Sequence, residues 1–306
     1  MKQSLRQPFN YCRETSSTSA APSSIAKGIS SALLCILVSL PLSISDAGAG
    51  TLYKGWNYAI DSFTDGSGGP SYEERGLAFR QDGSTGYFAI TGGMPLAGIS
   101  NGNARNGNIA RGDLFLNFSN HNLDTPAEFT DPQHVLGIRF SPVNDSLENV
   151  SSPGLGLYRD LQVISYTTEN NGYARLDEYW SRGFSKPARM GDLETEVAVT
   201  TYLGNGRMYP NIFTGTYLAP ITLLSEAQLT APELGLDFTR WGAAPAGSTT
   251  FGFSFNLSAL PSGHFTAHFF EECINDGIAL RGVVPEPATL ALLGLAFAGL
   301  PLGRRR

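Results

Sequence analysis

Two runs near the C-terminal end, Phe251–Ser258 (FGFSFNLS) and Gly263–Phe270 (GHFTAHFF), decide the fold. In the first, Phe251, Phe253, Phe255 and Leu257 alternate with Gly252, Ser254, Asn256 and Ser258. In the second, Phe265, Ala267 and Phe269 alternate with His264, Thr266 and His268. A period of two puts successive side chains on opposite faces of a strand, so each run predicts one apolar and one wet face. Pro261-Ser262-Gly263 between them carries turn residues, and the pair is expected to form a hairpin closed by that tight turn.

Outward from these runs, the same signals recur. Phe79–Thr91 (FRQDGSTGYFAIT) places Asp82-Gly83 between two apolar runs, a strong hairpin signature. Thr51–Asp61 (TLYKGWNYAID), Asp113–Ser119 (DLFLNFS), Val135–Phe140, Leu155–Tyr166 and Thr195–Leu203 (TEVAVTTYL) read as further strands. Helical periodicity is scarce, with Ile221–Leu229 the one short candidate. Many short strands separated by turn signals predict an all-β body, an antiparallel β-sandwich of jelly-roll-like type. Nothing in the composition divides residues 50–283, so they are read as one domain. Gly92–Gly112 is rich in Gly and Asn, which tolerate positive φ and compete for backbone hydrogen bonds, so it is read as a surface loop.

Charge narrows the partners. Residues 50–283 hold 14 Lys and Arg against 24 Asp and Glu. An acidic body argues against nucleic acid, because phosphate binding requires clustered cations. Of the three cysteines, Cys12 and Cys35 fall in the leader described next, leaving Cys273 alone and an intramolecular disulfide impossible in the body.

Both ends read as addresses. Lys27 precedes an apolar stretch from about Ile29 to Leu42, and Ala47-Gly48-Ala49 supplies small residues at the positions a signal peptidase reads. Residues 1–49 are therefore expected to be a signal peptide with an extended n-region, routed through the Sec translocon and cut after Ala49. At the other end, Ala288–Gly303 carries no charge and Arg304, Arg305 and Arg306 follow at once. As a helix this stretch would span about 24 Å at about 1.5 Å per residue, short of the roughly 30 Å hydrocarbon core. It predicts transient inner-membrane insertion with the arginines as a cytoplasmic stop. Pro285 and Pro287 exclude a regular helix through Val284-Pro285-Glu286-Pro287, leaving an extended peptide at the membrane surface.

Pro-Glu-Pro, an apolar helix and a terminal arginine cluster, in that order over 284–306, resemble the PEP-CTERM sorting signal. The resemblance implies recognition at Pro285, Glu286 and Pro287 by an exosortase. It also implies removal of the tail and delivery of the body to the cell surface or extracellular matrix of a Gram-negative bacterium. Three body segments, YEERGLAFRQDG (72–83), NGNIARGDLFLNF (106–118) and FTAHFFEECINDGIALRG (265–282), resemble exosortase-dependent surface proteins of the XDD type. That family implies an exported protein without assigned catalysis, and a small residue after Cys273, where Ile274 stands.

Candidate chemistry is thin. His264 and His268 lie about 13 Å apart along a strand at about 3.3 Å per residue, too far to share one zinc ion. Glu194 and Glu196 would share a strand face, a spacing compatible with a glycosidase pair but equally with solvated surface charge. Glu271, Glu272 and Asp276 flank Cys273 without a neighbouring base that would make it a nucleophile. Asp61 and Asp65 with Gly66-Ser67-Gly68-Gly69 form an oxygen-rich loop lacking the EF-hand series. Arg111-Gly112-Asp113 spells an integrin-ligand tripeptide by chance. No metal or cofactor is expected. The reading is a non-enzymatic structural or adhesive surface protein. The alternatives are a module binding exopolysaccharide through exposed Trp56, Tyr58, Tyr179, Trp180 and Trp241, or a secreted glycoside hydrolase using Glu or Asp pairs.

Overall fold

The computed structural model describes residues 50–63, 68–150, 153–182 and 189–286. The signal-peptide reading, with Ala47 and Ala49, and the tail from Pro287 through Arg304–Arg306 lie outside them, as does Asp65. Fourteen strands are present among the described residues. They are β1 (Thr51–Tyr53), β2 (Trp56–Ile60), β3 (Glu74–Asp82), β4 (Thr85–Gly92), β5 (Ile99–Ser100), β6 (Asn108–Ile109) and β7 (Leu114–Asn117). There follow β8 (Val135–Arg139), β9 (Gly156–Ile164), β10 (Asn211–Pro220), β11 (Thr222–Ser225), β12 (Thr249–Asn256), β13 (Gly263–Phe270) and β14 (Gly277–Val284). Helices α1 (Leu176–Arg182), α2 (Glu196–Leu203) and α3 (Glu226–Thr230) are short.

The strands make an antiparallel β-sandwich. Its first sheet runs β1-β2-β3-β4-β12-β11 and its second β10-β9-β8-β7-β13-β14; β5 and β6 form a separate small ribbon. Each large sheet is a four-strand meander extended by a returning pair. Between the layers lies a core of alternating inward residues, among them Phe79, Phe88, Phe253 and Phe255 from the first sheet and Leu116, Ile138, Phe265, Phe269 and Leu280 from the second. Phenylalanines lock the layers together: Phe265 meets Phe79 edge-on at 5.2 Å between centroids, and Phe140 stacks on Phe253 at 5.7 Å. Such pairs contribute about 0.5–1.5 kcal/mol beyond their buried area.

The hairpin expected from Phe251–Phe270 does not form. β12 pairs with β4 and β11, whereas β13 pairs with β7 and β14, in the opposite sheet. A 3-10 turn at Leu257–Ala259 re-aims the chain, and Pro261-Ser262-Gly263 is a crossover between layers. The physical reason is the core itself. Both runs carry their phenylalanines on one face, and facing sheets bury both sets against each other. Asp82-Gly83 behaves as read: Asp82 pairs with Thr85 across a two-residue loop in which Gly83 has φ 57°. Thr51–Asp61 is itself a hairpin, turned at Lys54-Gly55, both with positive φ.

Thr195–Leu203, read as a strand, is helix α2. The Thr195 side chain accepts from Ala198 N as its N-cap. Val199, Tyr202 and Leu203, at i, i+3 and i+4, form its buried face. That face covers the outer side of the second sheet in a cluster with Phe115, Phe129 and Ile212. In consequence His268, expected on a wet face, is buried, with the Tyr202 hydroxyl 3.3 Å from its Nδ1. Ile221–Leu229 divides between β11 and α3; the latter starts at a capping box made by Ser225 and Gln228.

Candidate functional site

The three segments singled out for their resemblance converge in space. Glu73 and Glu74 come from the start of β3, Arg111 and Asp113 from the strand entry after the Gly/Asn-rich loop, and Glu271, Glu272, Cys273 and Asp276 from the β13–β14 connection. All eight are buried. Arg111 clamps Glu74 through two bonds, Nε to Oε1 at 2.6 Å and Nη2 to Oε2 at 3.0 Å, and its Nη1 donates to Met94 O at 2.6 Å. The backbone N–H of Glu74 donates to Asp276 Oδ2 at 2.7 Å, tying the first segment to the third. Ala110 N donates to Glu272 Oε2, and Glu272 N to Ala110 O, tying the second to the third.

Around this knot the remaining carboxylates are also engaged. Asp113 accepts from Ser146 Oγ at 2.6 Å, Ile212 N at 2.6 Å and Asn144 Nδ2 at 2.9 Å. Burial nonetheless pushes its carboxyl up to about 6. Glu272 Oε1 accepts from Asp145 N and Asn211 Nδ2, and burial pushes Glu272 up to about 8. Glu271 rises well above the ordinary carboxylate range, first through burial and then through the neighbouring Glu74. Its Oε1 is buried and makes no hydrogen bond. One guanidinium here faces two buried carboxyl groups: Glu74 takes its two hydrogen bonds, and burial raises both carboxyls while the Arg111 charge opposes the rise at each.

This arrangement is built for cohesion. Cys273 is buried with its Sγ 3.7 Å from Glu271 Oε2, and burial followed by that carboxylate pushes the thiol well up. It is held as an inert thiol, opposite to what a nucleophile needs. Ile274, standing where a small residue was expected, has φ 55°. That left-handed backbone is strained for a β-branched side chain, and Ile274 packs with Phe270 and Leu176 beneath the loops. Arg111-Gly112-Asp113 is no surface tripeptide, since both charged side chains face inward. The Gly92–Gly112 loop, expected on the surface, caps this end of the sandwich by burying Met94, Ala104 and Ile109 against Cys273.

The other singled-out residues do not assemble. Trp56 is fully buried, with Nε1 donating to Leu234 O at 2.6 Å. Tyr58 and Tyr179 are buried as well. None of the three presents a free ring for stacking on a sugar, because the segment 229–243 and the loops over the second sheet cover them. Trp241 is half-buried, tilted on Tyr58 and edge-on to Tyr53; the Trp180 side chain lies outside the described residues. Glu194 and Glu196 are exposed, at the start of α2 and not on a strand face. Asp61 Oδ1 accepts from Ser62 N and Gly191 N. His134 is exposed and bonded to Asp131.

The start of the C-terminal signal is continuous with the body. Val283 pairs with His264 and Val284 with Gly263 at the end of the β13–β14 ladder. Pro285 and Glu286 follow, exposed, with Ser262 Oγ donating to Glu286 Oε2 at 3.2 Å. The extended geometry expected for this peptide is therefore set by the last strand of the sheet. Among the described residues no helix is long and apolar enough to cross a membrane.

No curated protein and no solved structure matches the chain. Residues 283–306 match the family model of the PEP-CTERM protein-sorting motif, which begins on the last two residues of β14 and does not extend into the XDD-like segments. The motif marks an exported protein that exosortase processes, anchored in passing by its C-terminal end: the chain is a PEP-CTERM sorting-signal protein.

Proposed function

We propose that the sandwich is a non-enzymatic structural or adhesive protein of the cell surface or extracellular matrix of a Gram-negative bacterium. Signal peptidase and the Sec translocon deliver it, and exosortase releases it at Pro285-Glu286-Pro287. The observation that carries this reading is where the carboxylates are. The acids that the three resembling segments bring together are closed inside the body as hydrogen-bonded struts. Glu194 and Glu196, the pair weighed for glycoside hydrolysis, stand exposed at a helix start. A rigid, loop-capped sandwich suits a load-bearing or adhesive part.

The test is fractionation of cells carrying the full chain with an epitope in the Gly83-Ser84 turn, beside a variant with Pro285, Glu286 and Pro287 replaced by Ala. The parent is expected in the surface or matrix fraction with its tail removed, and the variant full-length in the inner membrane. Full-length parent in the cytosol would sink the sorting account. Loss of cell–cell or cell–surface adhesion on deletion tests the role, and unchanged adhesion would remove it. The alternative of an exopolysaccharide-binding module retains Trp241 beside Tyr53 as its half-buried aromatic pair.

A further inference from the structure

The body's cations are nearly all spoken for. Arg80, Arg105, Arg111, Arg159 and Arg175 pair with carboxylates. Arg139 and Arg207 donate to backbone or amide oxygens, and Arg75, Arg240 and Lys54 lie over aromatic rings. Among the described residues Arg281 differs: it is exposed and its guanidinium makes no hydrogen bond or ion pair. Its backbone alone is hydrogen-bonded: the N–H donates to Asp192 Oδ2 and the carbonyl accepts from Asn57 Nδ2, both at 2.7 Å.

Arg281 lines a cleft of about 200 Å³ whose lining also includes Ser119, Asn120, His264 and Thr266, with Phe265 and Gly282 as its apolar part. The register explains the assembly. Arg281, Thr266 and Asn117 are direct cross-strand neighbours on β14, β13 and β7, with Cβ atoms about 5 Å apart. His264 lies two residues along β13 on the same face. Two residues the other way is His268, which Tyr202 of α2 buries. The cleft is thus the stretch of the second sheet's outer face that α2 leaves uncovered, walled by the loop at Ser119-Asn120. The side chains of Thr266, Asn120 and His264 make no hydrogen bond there. A free guanidinium offers a planar fork matched to a carboxylate or phosphate. A hydroxyl, an amide and an imidazole around it suit a hydroxyl-rich ring. The volume is below the roughly 300–1,000 Å³ of sites that enclose larger ligands, so it admits one small unit.

We propose that this cleft binds a single carboxylate-bearing sugar residue, Arg281 holding the carboxylate and Thr266, Asn120 and His264 the ring hydroxyls. The inference stands apart from the sorting reading, because it concerns binding by the purified chain wherever the cell places it.

The test is calorimetric titration of the full chain, held in a polyoxyethylene detergent, with glucuronate, glucose, inorganic phosphate and glycerol 3-phosphate, which carries the phosphate chemistry of a lipid headgroup. Glucuronate is expected to saturate with a Kd on the order of 1 mM, at least about tenfold tighter than glucose or phosphate. Arg281→Gln is expected to weaken glucuronate at least about tenfold, the scale of a charge-assisted hydrogen bond, with only a small fall in melting temperature, because the guanidinium makes no hydrogen bond and acts on Asp192 through its charge alone. Thr266→Val, which retains shape and loses the hydroxyl, is expected to weaken glucuronate a few-fold and leave phosphate unaffected. Phosphate binding as tight as glucuronate, glucuronate binding untouched by Arg281→Gln, or Arg281-dependent glycerol 3-phosphate binding without glucuronate saturation would each overturn the assignment.

Discussion

Arg111 and Glu74 are held as a closed ion pair whose members depend on each other. Both are buried and their bond is bidentate. Removing one partner strands the other charge in a medium that cannot solvate it, at a cost of about 3–5 kcal/mol. Arg111→Ala is therefore expected to lose that much unfolding free energy in urea, and Arg111→Met with Glu74→Gln to recover a large part. A loss below about 1 kcal/mol in the single variant would mean the pair is not closed off from water.

Glu272 gives a residue-scale pH dependence. Its carboxyl moves from an ordinary 4.5 to about 8 on burial. Between those values the folded chain holds a proton that the unfolded chain has released. The stabilisation is complete below about 4.5 and is lost as pH rises toward 8. At about 1.4 kcal/mol per pH unit, raising pH from 6.5 to 8 is expected to lower stability by about 2 kcal/mol. His268, which burial lowers from 6.5 to about 3, acts in the opposite sense between those two values, so the measurement is made at pH 6.5 and above. Urea unfolding at the two pH values reads the slope; Glu272→Gln should reduce it, with Glu271, also raised by burial, leaving a residual slope of the same sign, and an unchanged slope would place the proton on another group.

At the scale of elements, the first sheet's outer face shows how small residues seat a helix. Tyr58, Ala78, Ala89, Gly252 and Leu224 form one cross-strand row. Leu229 of α3 rests on the small members. A Cβ on Gly252 would sit 2.3 Å from Phe88 O and 3.1 Å from Leu229 Cδ1. Gly252→Ala is expected to cost about 1–3 kcal/mol, the range of an overpacked core. Gly247→Ala, with φ 91° and open space around it, costs only backbone strain and serves as the control. Equal melting temperatures for Gly252→Ala and the parent would contradict this packing. The α2 cap provides a milder test: Thr195→Ala should cost about 1 kcal/mol, read by urea unfolding, and no change would show that packing alone holds the helix.

For the whole molecule, the meeting of body and sorting signal sets a boundary. Val283 and Val284 belong at once to the matched motif and to the β13–β14 ladder. A chain ended after Glu286 keeps every pair of the β13–β14 ladder and is expected to unfold within about 0.5 kcal/mol of the parent. A chain ended after Ala279 loses Leu280 and Val284 from the core and five of the eight pairs of the last ladder, and is expected not to fold. Thermal unfolding of the two truncations decides; equal stability would show that β14 is dispensable and that processing could fall inside it.

What the sequence by itself determined follows from local rules. Period-two alternation at Phe251–Leu257 and Phe265–Phe269 is a property of neighbouring residues, as is the Asp82-Gly83 turn. Pro-Glu-Pro with its apolar stretch and arginines is likewise linear, because all its parts lie in one consecutive run. Tertiary structure alone decided partners and cover. Alternation states which face turns inward but not which sheet the strand joins, so β12 and β13 read as a hairpin and fold as opposite walls. The β-branched run at Thr195–Leu203 satisfies either period, and the uncovered apolar face of Phe115 and Phe129 selects the helix. The buried carboxylate knot was legible only as scattered acids in 72–83, 106–118 and 265–282. Burial and charge pairing depend on distances between residues up to 202 positions apart, and no local pattern in the chain encodes them.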